Sequence, residues 1–414
     1  MPANASQKLS CITSKAVYAS FSCDCHNGSR EITDMLRPIL TLALAAGLMA
    51  PPSTALFAQE EPSGYHGAPR TLLWSTSDIP FVDTTQYKKD GPYVIGFSNA
   101  SISNSWRVGM LHSIQQAAAD HKDQISQLLI TDANDDPAKQ VSDVQDLIER
   151  GVDLLIVSAA TADALDAIVT RAYEQGIPVV MVDRRITSDN FTTFITASDN
   201  VFGHLSAQWM VEKLGGKGNI VMLPGMAGVS VAETRIAVAK QVFANYPDIH
   251  VLDLQYTDWS PAKGKQVMAA LLQKYGDQID GVWADHGLQG SGAIEALVEA
   301  GWEKGKFPPI TCADLNGCVK LAVENDEPAF NYDYPPAMGG VAVTVGLDIL
   351  AGRPVPKQYE MNVDIAITKG DETESVKADK WIEDYARLGS PNDLILSTGI
   401  QNYDPNTFAV EYPQ

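Results

Sequence analysis

Basic residues are in deficit: 30 Lys and Arg stand against 51 Asp and Glu, a net charge of −21. A chain this acidic has no nonspecific basic surface for holding nucleic acid, so no nucleic-acid partner is expected. Cysteine is scarce, five residues in 414. They are too few and too spread for a disulfide scaffold, and no CxxC pair marks a zinc site. No apolar run reaches the ~20 residues that cross a bilayer. What is present is a hydrophobic content of 45%, ample for packed cores and against general disorder. The length fits two or three ordinary domains.

Residues 1–58 read as an upstream segment plus a signal peptide, the signal proper being 35–58. Arg37 supplies the positive start, and Ile39–Ala50 is a twelve-residue apolar run broken by Pro51 and Pro52. A buried core helix is the alternative reading of that run, but the charge-apolar-small order is the secretory one. Cleavage after Ala58 or Ala55 fits, with Ala58 favoured because Gln59-Glu60-Glu61 follows. Residues 1–34 carry Cys11, Cys23 and Cys25 and precede the better start at Met35; an over-extended gene start or a long n-region would each account for them. An exported product without a lipid anchor is expected.

Residues 59–91 are rich in Pro and Gly and read as an extension lying on the body. From Tyr93, short apolar runs alternate with amphipathic helices. Strands are expected at Val94–Phe97, Leu128–Ile130, Leu154–Val157 and Val179–Val182, with helices over 106–121, 137–150 and 161–175 between them. Thr161 and Ser260-Pro261 are helix-start signals; Gly151 and Gly176 are stops. The alternation repeats with helix 200–214, strand Ile220–Leu223, helix 230–246, strand Val251–Gln255, helix 261–275, strand Gly281–Ala284, helix 288–300 and strand Ile310–Cys312. One further helix is expected over 376–386. Continuous apolar strands between helices belong to parallel sheets buried on both faces, so two α/β units are expected.

In open parallel sheets, ligands sit beyond the carboxyl ends of strands. The first such loop, Ser98 to Arg107, has no glycine and is neither a GxGxxG nor a Walker A loop. Trp106 there suits a core position or the floor of a pocket. Gly228-Val229-Ser230-Val231-Ala232 approaches a GxSxG elbow, but Ala232 replaces the second Gly. Gly287-Leu288-Gln289-Gly290-Ser291-Gly292 lacks the Lys of a phosphate cradle. Nothing in the exported part has metal-ligand spacing. The strand ends instead carry Trp106, Arg107, Asp183, Arg184, Arg235, Trp259, His286, Asp314 and Asp333. An aromatic face packs on the C–H face of a sugar, and Asp and Arg bracket its hydroxyls. This is binding chemistry with no nucleophile, metal or cofactor, so no enzyme is expected. The set is also balanced: Arg107, Arg184 and Arg235 face Asp183, Asp314 and Asp333. That favours a neutral ligand, because an unpaired buried anion is costly.

Several segments carry a resemblance to one family: IGFSNASISNSWR, NDDPAKQVSDVQDLIERGVDLLIVS, PVVMVDRR, ASDNVFG, GMAGVSVAETR, WADHGLQGSGAIEAL and CADLNG. Over Tyr93 to Ile367, and in the same order, the chain resembles the ribose/galactose-type periplasmic sugar-binding proteins of ABC importers. The resemblance implies a type I periplasmic binding fold, an α/β arrangement of two Rossmann-like lobes with parallel sheets, a cleft between them and three hinge crossings. The lobes are expected over 92–197 with 333–362, and over 198–332 with 363–414. The ligand contacts it implies are Asn104, Trp106, Arg107, Asp183, Arg184, Arg235, Trp259, His286, Asp314 and Asp333. His286 stands where the family usually has Asn, and Asp333 where it commonly has Gln or Asn. The Asn104-Ser105-Trp106-Arg107 opening is most similar to members that bind furanose sugars. A monomer in the periplasm is implied, carrying a neutral pentose or furanose-form sugar to an inner-membrane permease. A sensor that presents its ligand to a membrane receptor is the alternative.

Cys312 and Cys318 are the two cysteines after the signal segment, and they flank the loop that carries Asp314. Export permits a disulfide between them; two buried thiols are the other reading.

Overall fold

A run such as Leu154–Val157 offers no polar side chain to either face, so it is stable only with both faces covered. All four of its residues are buried. The computed structural model describes residues 79–361 and 363–397. In chain order the elements are β1 (Phe81–Val82), β2 (Tyr93–Asn99), α1 (Ser105–Asp120), β3 (Ile125–Asp132), α2 (Pro137–Glu149), β4 (Leu154–Val157), α3 (Ala162–Glu174), β5 (Val179–Val182) and β6 (Thr193–Thr196). Next come α4 (Asp199–Lys213), β7 (Lys217–Leu223), α5 (Ser230–Phe243), β8 (Asp248–Leu254), α6 (Pro261–Tyr275), β9 (Gly281–Ala284), α7 (Gly287–Glu299), β10 (Ile310–Ala313), α8 (Asn316–Asn325) and β11 (Ala329–Tyr332). Then follow α9 (Met338–Leu350), β12 (Val355–Pro356), β13 (Gln358–Glu360), β14 (Ile365–Ile367), β15 (Lys380–Trp381) and α10 (Ile382–Tyr385).

Two sheets result. One has the order β13-β6-β5-β4-β2-β3, parallel throughout. The other has the order β15-β14-β11-β10-β9-β7-β8, parallel except where β14 runs against β11. The chain passes between the sheets after Thr196, after Tyr332 and after Glu360. Helix α9 returns to pack on α1 and on β4 to β6 of the first sheet. Among the described residues no helix is long and apolar enough to cross a membrane.

Local chemistry sets the helix starts. Asp136 caps α2 by accepting from Ala138 and Lys139 N–H, ahead of Pro137 at the first helical position. Ser260 caps α6 through Lys263 N–H in the same way. Thr161 occupies the cap position of α3, but its side chain makes no capping bond.

The signal peptide and upstream segment expected over 1–58, and residues 59–78 of the expected extension, lie outside the described residues. The rest of the extension docks: β1 pairs antiparallel with β12, and Lys89 N–H donates to Leu350 O at 3.1 Å. The helix expected over 376–386 is not formed. Lys380 and Trp381 pair with Ala366 and Ile367 in β15, leaving only the four-residue α10. Sheet pairing overrides local helix preference there. Cys312 and Cys318 are joined by a disulfide, with Cα atoms 6.2 Å apart. That separation lies in the ordinary disulfide range.

Glu327 is an anomaly in the second sheet's core. It is buried, and neither carboxyl oxygen has a hydrogen-bond partner. Burial raises its pKa well above the usual carboxylate value. The unfolded chain therefore releases this proton at a lower pH than the folded one does. Stability falls as pH rises from the unfolded pKa toward the raised folded one. Glu327→Gln is expected to flatten that decline, measured by chemical denaturation at about pH 5 and about pH 8. An unchanged pH slope would reject this reading of Glu327.

Candidate functional site

Each sheet ends one strand in the same strained way. After β5, Asp183 takes φ +64°, and Arg184 N–H donates back to Val182 O at 2.7 Å. After β10, Asp314 takes φ +58°, and Leu315 N–H donates back to Ala313 O at 2.6 Å. These are γ-turns of the positive-φ kind, rare and strained, and Asp is among the few non-glycine residues that tolerate them. Such strain concentrates at working sites.

On the first sheet's edge, Arg107 is wholly enclosed. It donates to Asp183 Oδ2 at 2.6 Å, to Asn99 Oδ1 at 2.6 Å and to Ser158 Oγ at 3.0 Å. Burial, helped by the nearby Arg184 charge, lowers its pKa to about 10, so it remains a cation at neutral pH. Arg184 lies 3.6 Å from Asp183 and 3.7 Å from Asp135. Asn104 caps α1 by accepting from Arg107 N–H. Trp106 donates from Nε1 to Tyr334 O at 2.7 Å, which fixes the indole against the second crossing.

On the other side, Arg235 bonds Asp199 at 2.8 Å and Asp285 O at 2.7 Å. Its guanidinium is held between Phe202 and Tyr334, 4.6 and 4.5 Å from the ring centres. Burial raises Asp199 to about 7, with the Arg235 charge opposing. Trp259 sits on Gly225 and donates to Asp285 Oδ1 at 3.0 Å. Its ring lies 5.0 Å from the Arg184 guanidinium. His286 caps α7: its Nδ1 accepts from Leu288 N–H, so the hydrogen of the neutral ring is on Nε2. Burial, then the Arg235 charge, lowers its pKa to about 3, and the ring is neutral at physiological pH.

These groups line one partly open cavity, about 330 Å³ with its solvent-filled mouth included. Asn104, Trp106, Arg107, Asp183 and Arg184 line it from the first sheet's side. Arg235, Trp259 and His286 line it from the second, with Val231, Leu288 and Tyr334 completing the wall. Arg184 Nη1 and Arg235 Nη2 are buried and have no hydrogen-bond partner. Both are donors suited to a ligand oxygen. At the rim, Arg185 N–H donates to Ser230 Oγ at 3.1 Å, and Ala162 N–H to Gly228 O at 3.3 Å, joining the two sides directly.

Two of the expected contacts are not on the wall. Asp314 and Asp333 are buried behind it. The Asp314 turn directs its carboxyl to Tyr334 N–H and Ser397 Oγ, and burial, with Asp333 nearby, raises its pKa well above the carboxylate range. Asp333 lies at the second crossing, its N–H donating to Asp364 O at 2.9 Å. The charge balance inferred from sequence therefore keeps Asp183 and replaces Asp314 and Asp333 with Asp135 and Asp199. Asp183 and Asp135 serve Arg107 and Arg184, and Asp199 serves Arg235. Sequence reasoning missed Asp199, Asp285 and Tyr334. Asp285 follows β9 directly, so the strand-end rule could have found it.

Among the described residues no cluster of His, Cys, Asp and Glu could hold a metal ion.

Residues 95–354 match the model of the periplasmic binding protein domain. The chain is 31% identical over 269 residues to the ribose import binding protein RbsB of Bacillus subtilis, covering 64% of this chain and 84% of that one. It is 38% identical over 175 residues to the xylitol-binding protein of Mycolicibacterium smegmatis, an alignment spanning 42% of this chain and half of that relative. Among solved structures, it superposes on the fructose-binding periplasmic domain of the hybrid two-component system BT1754 with a TM-score of 0.62 and 31% identity. That match covers 67% of this chain and 92% of the other. The chain belongs to the periplasmic binding protein family, a family of substrate-binding proteins and not of enzymes, and its relatives there are of the ribose- and sugar-binding type.

Proposed function

We propose that the protein captures one neutral monosaccharide, a pentose or a furanose-form sugar, in this cavity and delivers it from the periplasm to an ABC importer. The carrying observation is the wall itself, between two fixed indoles: three buried Arg side chains, each with a carboxylate beside it, two of the three keeping a buried N–H that makes no hydrogen bond. A compensated site suits hydroxyls, which both donate and accept, and gives no surplus cation to a carboxylate or phosphate. The ribose and xylitol relatives support a small polyhydroxylated ligand. In this reading the lobes, 92–197 with 333–362 and 198–332 with 363–414, close on the sugar by hinging at the three crossings. The ten ligand contacts inferred from sequence then divide: eight touch the sugar from the wall, and Asp314 and Asp333 act from behind it.

Calorimetry of the purified protein against D-ribose, L-arabinose, D-fructose and xylitol, with gluconate and ribose 5-phosphate as anionic controls, tests this. Tight binding of a neutral compound is expected, with a smaller radius of gyration in solution scattering when it is bound. Binding of the anions alone would falsify the proposal.

A second reading has the protein present its sugar to a membrane receptor. The likeness to a periplasmic domain of a hybrid two-component system favours it. Deleting the partner permease would abolish sugar uptake in the first case and leave the sugar response intact in the second.

A further inference from the structure

The turn that carries Asp314 is gripped from both sides. Within the chain, the Cys312–Cys318 disulfide ties the end of β10 to the first turn of α8. From outside, residues 387–397 run across the start of α8. Asn316 N–H donates to Leu394 O at 2.9 Å, and Gly317 N–H to Asn392 O at 2.7 Å. The approach is close enough that a Cβ on Gly317 would lie 2.8 Å from Asn392 O, so glycine is required there. The Asn316 amide collects Arg387 O and Pro391 O, both at 2.9 Å, while its oxygen accepts from Arg387 N–H at 2.8 Å. Leu315 pairs with Ile395, and Leu396 N–H donates to Asp314 O at 2.7 Å.

The segment ends at the site. Ser397 Oγ donates to Asp314 Oδ1 at 2.9 Å. The same oxygen accepts from Tyr334 N–H, and Tyr334 is part of the cavity wall. With Oδ1 holding two donors, Oδ2 is turned away. It is buried without a hydrogen-bond partner, 3.9 Å from His286 Nε2. A carboxyl can rotate about its Cβ–Cγ bond, so its two oxygens are distinguished only by what holds them. Here the two holders are one backbone N–H from the crossing and one hydroxyl from residue 397.

We propose that this C-terminal strap is a working part of the ligand site. Through the Ser397 hydroxyl it fixes the rotation of the Asp314 carboxyl, and through that carboxyl it positions Tyr334 on the cavity wall. Ser397 is a positioning residue, acting on the sugar through residues that stand nearer to it. The proposal rests on the sugar-site reading for its effect on affinity, but not for its effect on Tyr334.

The test uses the full chain carrying Ser397→Ala or Ser397→Thr. Hydrogen exchange at the Tyr334 amide, without any ligand, reads the positioning directly. Calorimetry with D-ribose, L-arabinose, D-fructose and xylitol as probes reads its effect on binding. Ser397→Ala is expected to speed exchange at Tyr334 and to weaken the best probe about tenfold, the loss of one buried hydrogen bond. Ser397→Thr keeps the hydroxyl and is expected to restore both, a rescue that loss of general stability would not give. Unchanged exchange in Ser397→Ala overturns the proposal, as does unchanged affinity for a probe that the parent binds. Should the parent bind none of the probes, the sugar-site reading fails. Faster exchange in Ser397→Ala would still support the strap.

Discussion

Replacing Asp183 with alanine is expected to remove sugar binding and to cost about 3–5 kcal/mol of folding stability. Asp183 is the ion-pair partner of Arg107 at 2.6 Å and lies 3.6 Å from Arg184. Its loss leaves the buried Arg107 cation without its carboxylate and Arg184 with only Asp135, 3.7 Å away. Removing one member of a buried pair is far costlier than never having built it, because the survivor stays desolvated. A second penalty comes from the backbone: alanine at φ +64° meets the Cβ clash that aspartate partly offsets by local hydrogen bonding. Asp183→Asn separates the two effects. It keeps the tolerated turn and a hydrogen-bond acceptor but drops the charge, so it should fold better than the alanine variant and still bind poorly. Calorimetry and urea denaturation of both variants check this. Parent-like affinity in Asp183→Ala would sink the site assignment.

Gly225→Ala is expected to weaken sugar binding by about a hundredfold or more, near 2.7 kcal/mol. A Cβ at Gly225 would stand 1.9 Å from Trp259 Cε2 and 2.3 Å from its Nε1. The indole cannot yield easily. Its Nε1 is held by Asp285, and the residues before it are tied back by Thr257 N–H to Pro224 O at 2.8 Å and Asp258 N–H to Gly225 O at 3.0 Å. Asp258 and Trp259 both adopt positive φ, 54° and 49°, which fixes the direction of the ring further. The added methyl therefore drives the ring toward Arg184 and into the space the sugar needs. Stability is expected to fall by a further 1–3 kcal/mol, roughly the cost of overpacking a core. Tryptophan fluorescence should shift in the same variant, and an unshifted spectrum with normal affinity would show that the ring has another place to go.

The strands were legible where they are apolar on both faces. Leu154–Val157, Val179–Val182 and Gly281–Ala284 lie where the periodicity places them. β6 was not, because Thr193-Phe194-Ile195-Thr196 puts hydroxyls at both ends of a short run. Thr193 is buried only because its hydroxyl finds Pro356 O at 2.7 Å, a partner 163 residues away. Helix α9 escaped for the opposite reason. It is buried nearly all round and has glycines at 339, 340 and 346, so it shows no amphipathic stripe. Much of the site was legible through one rule: strand ends in a parallel sheet face the ligand. Asp199 fell outside it by opening a helix, where an acidic residue already has an electrostatic reason to be. Tyr334 fell outside it by lying just past a crossing. Asp314 obeyed the rule in sequence and left the wall in space, because its carboxyl is taken by Tyr334 N–H and Ser397 Oγ, partners far along the chain, whereas Asp183 makes the same turn and stays on the wall.

The two rim bonds, Arg185 N–H to Ser230 Oγ and Ala162 N–H to Gly228 O, touch no part of the cavity. Under the hinged closing proposed above, they form only when the lobes meet, whatever sugar is inside. Each contributes on the order of 1 kcal/mol to the closed form. Apparent affinity scales with the fraction of molecules already competent to hold the ligand. Changes at the rim would therefore multiply the affinity for every sugar by one common factor and leave their ranking untouched. In the proposed site, ranking would be decided on the wall, at Asp183, Arg235 and His286. On the proposed function, strength of capture and choice of cargo would thus be set by separate residues, and a change in one would leave the other undisturbed.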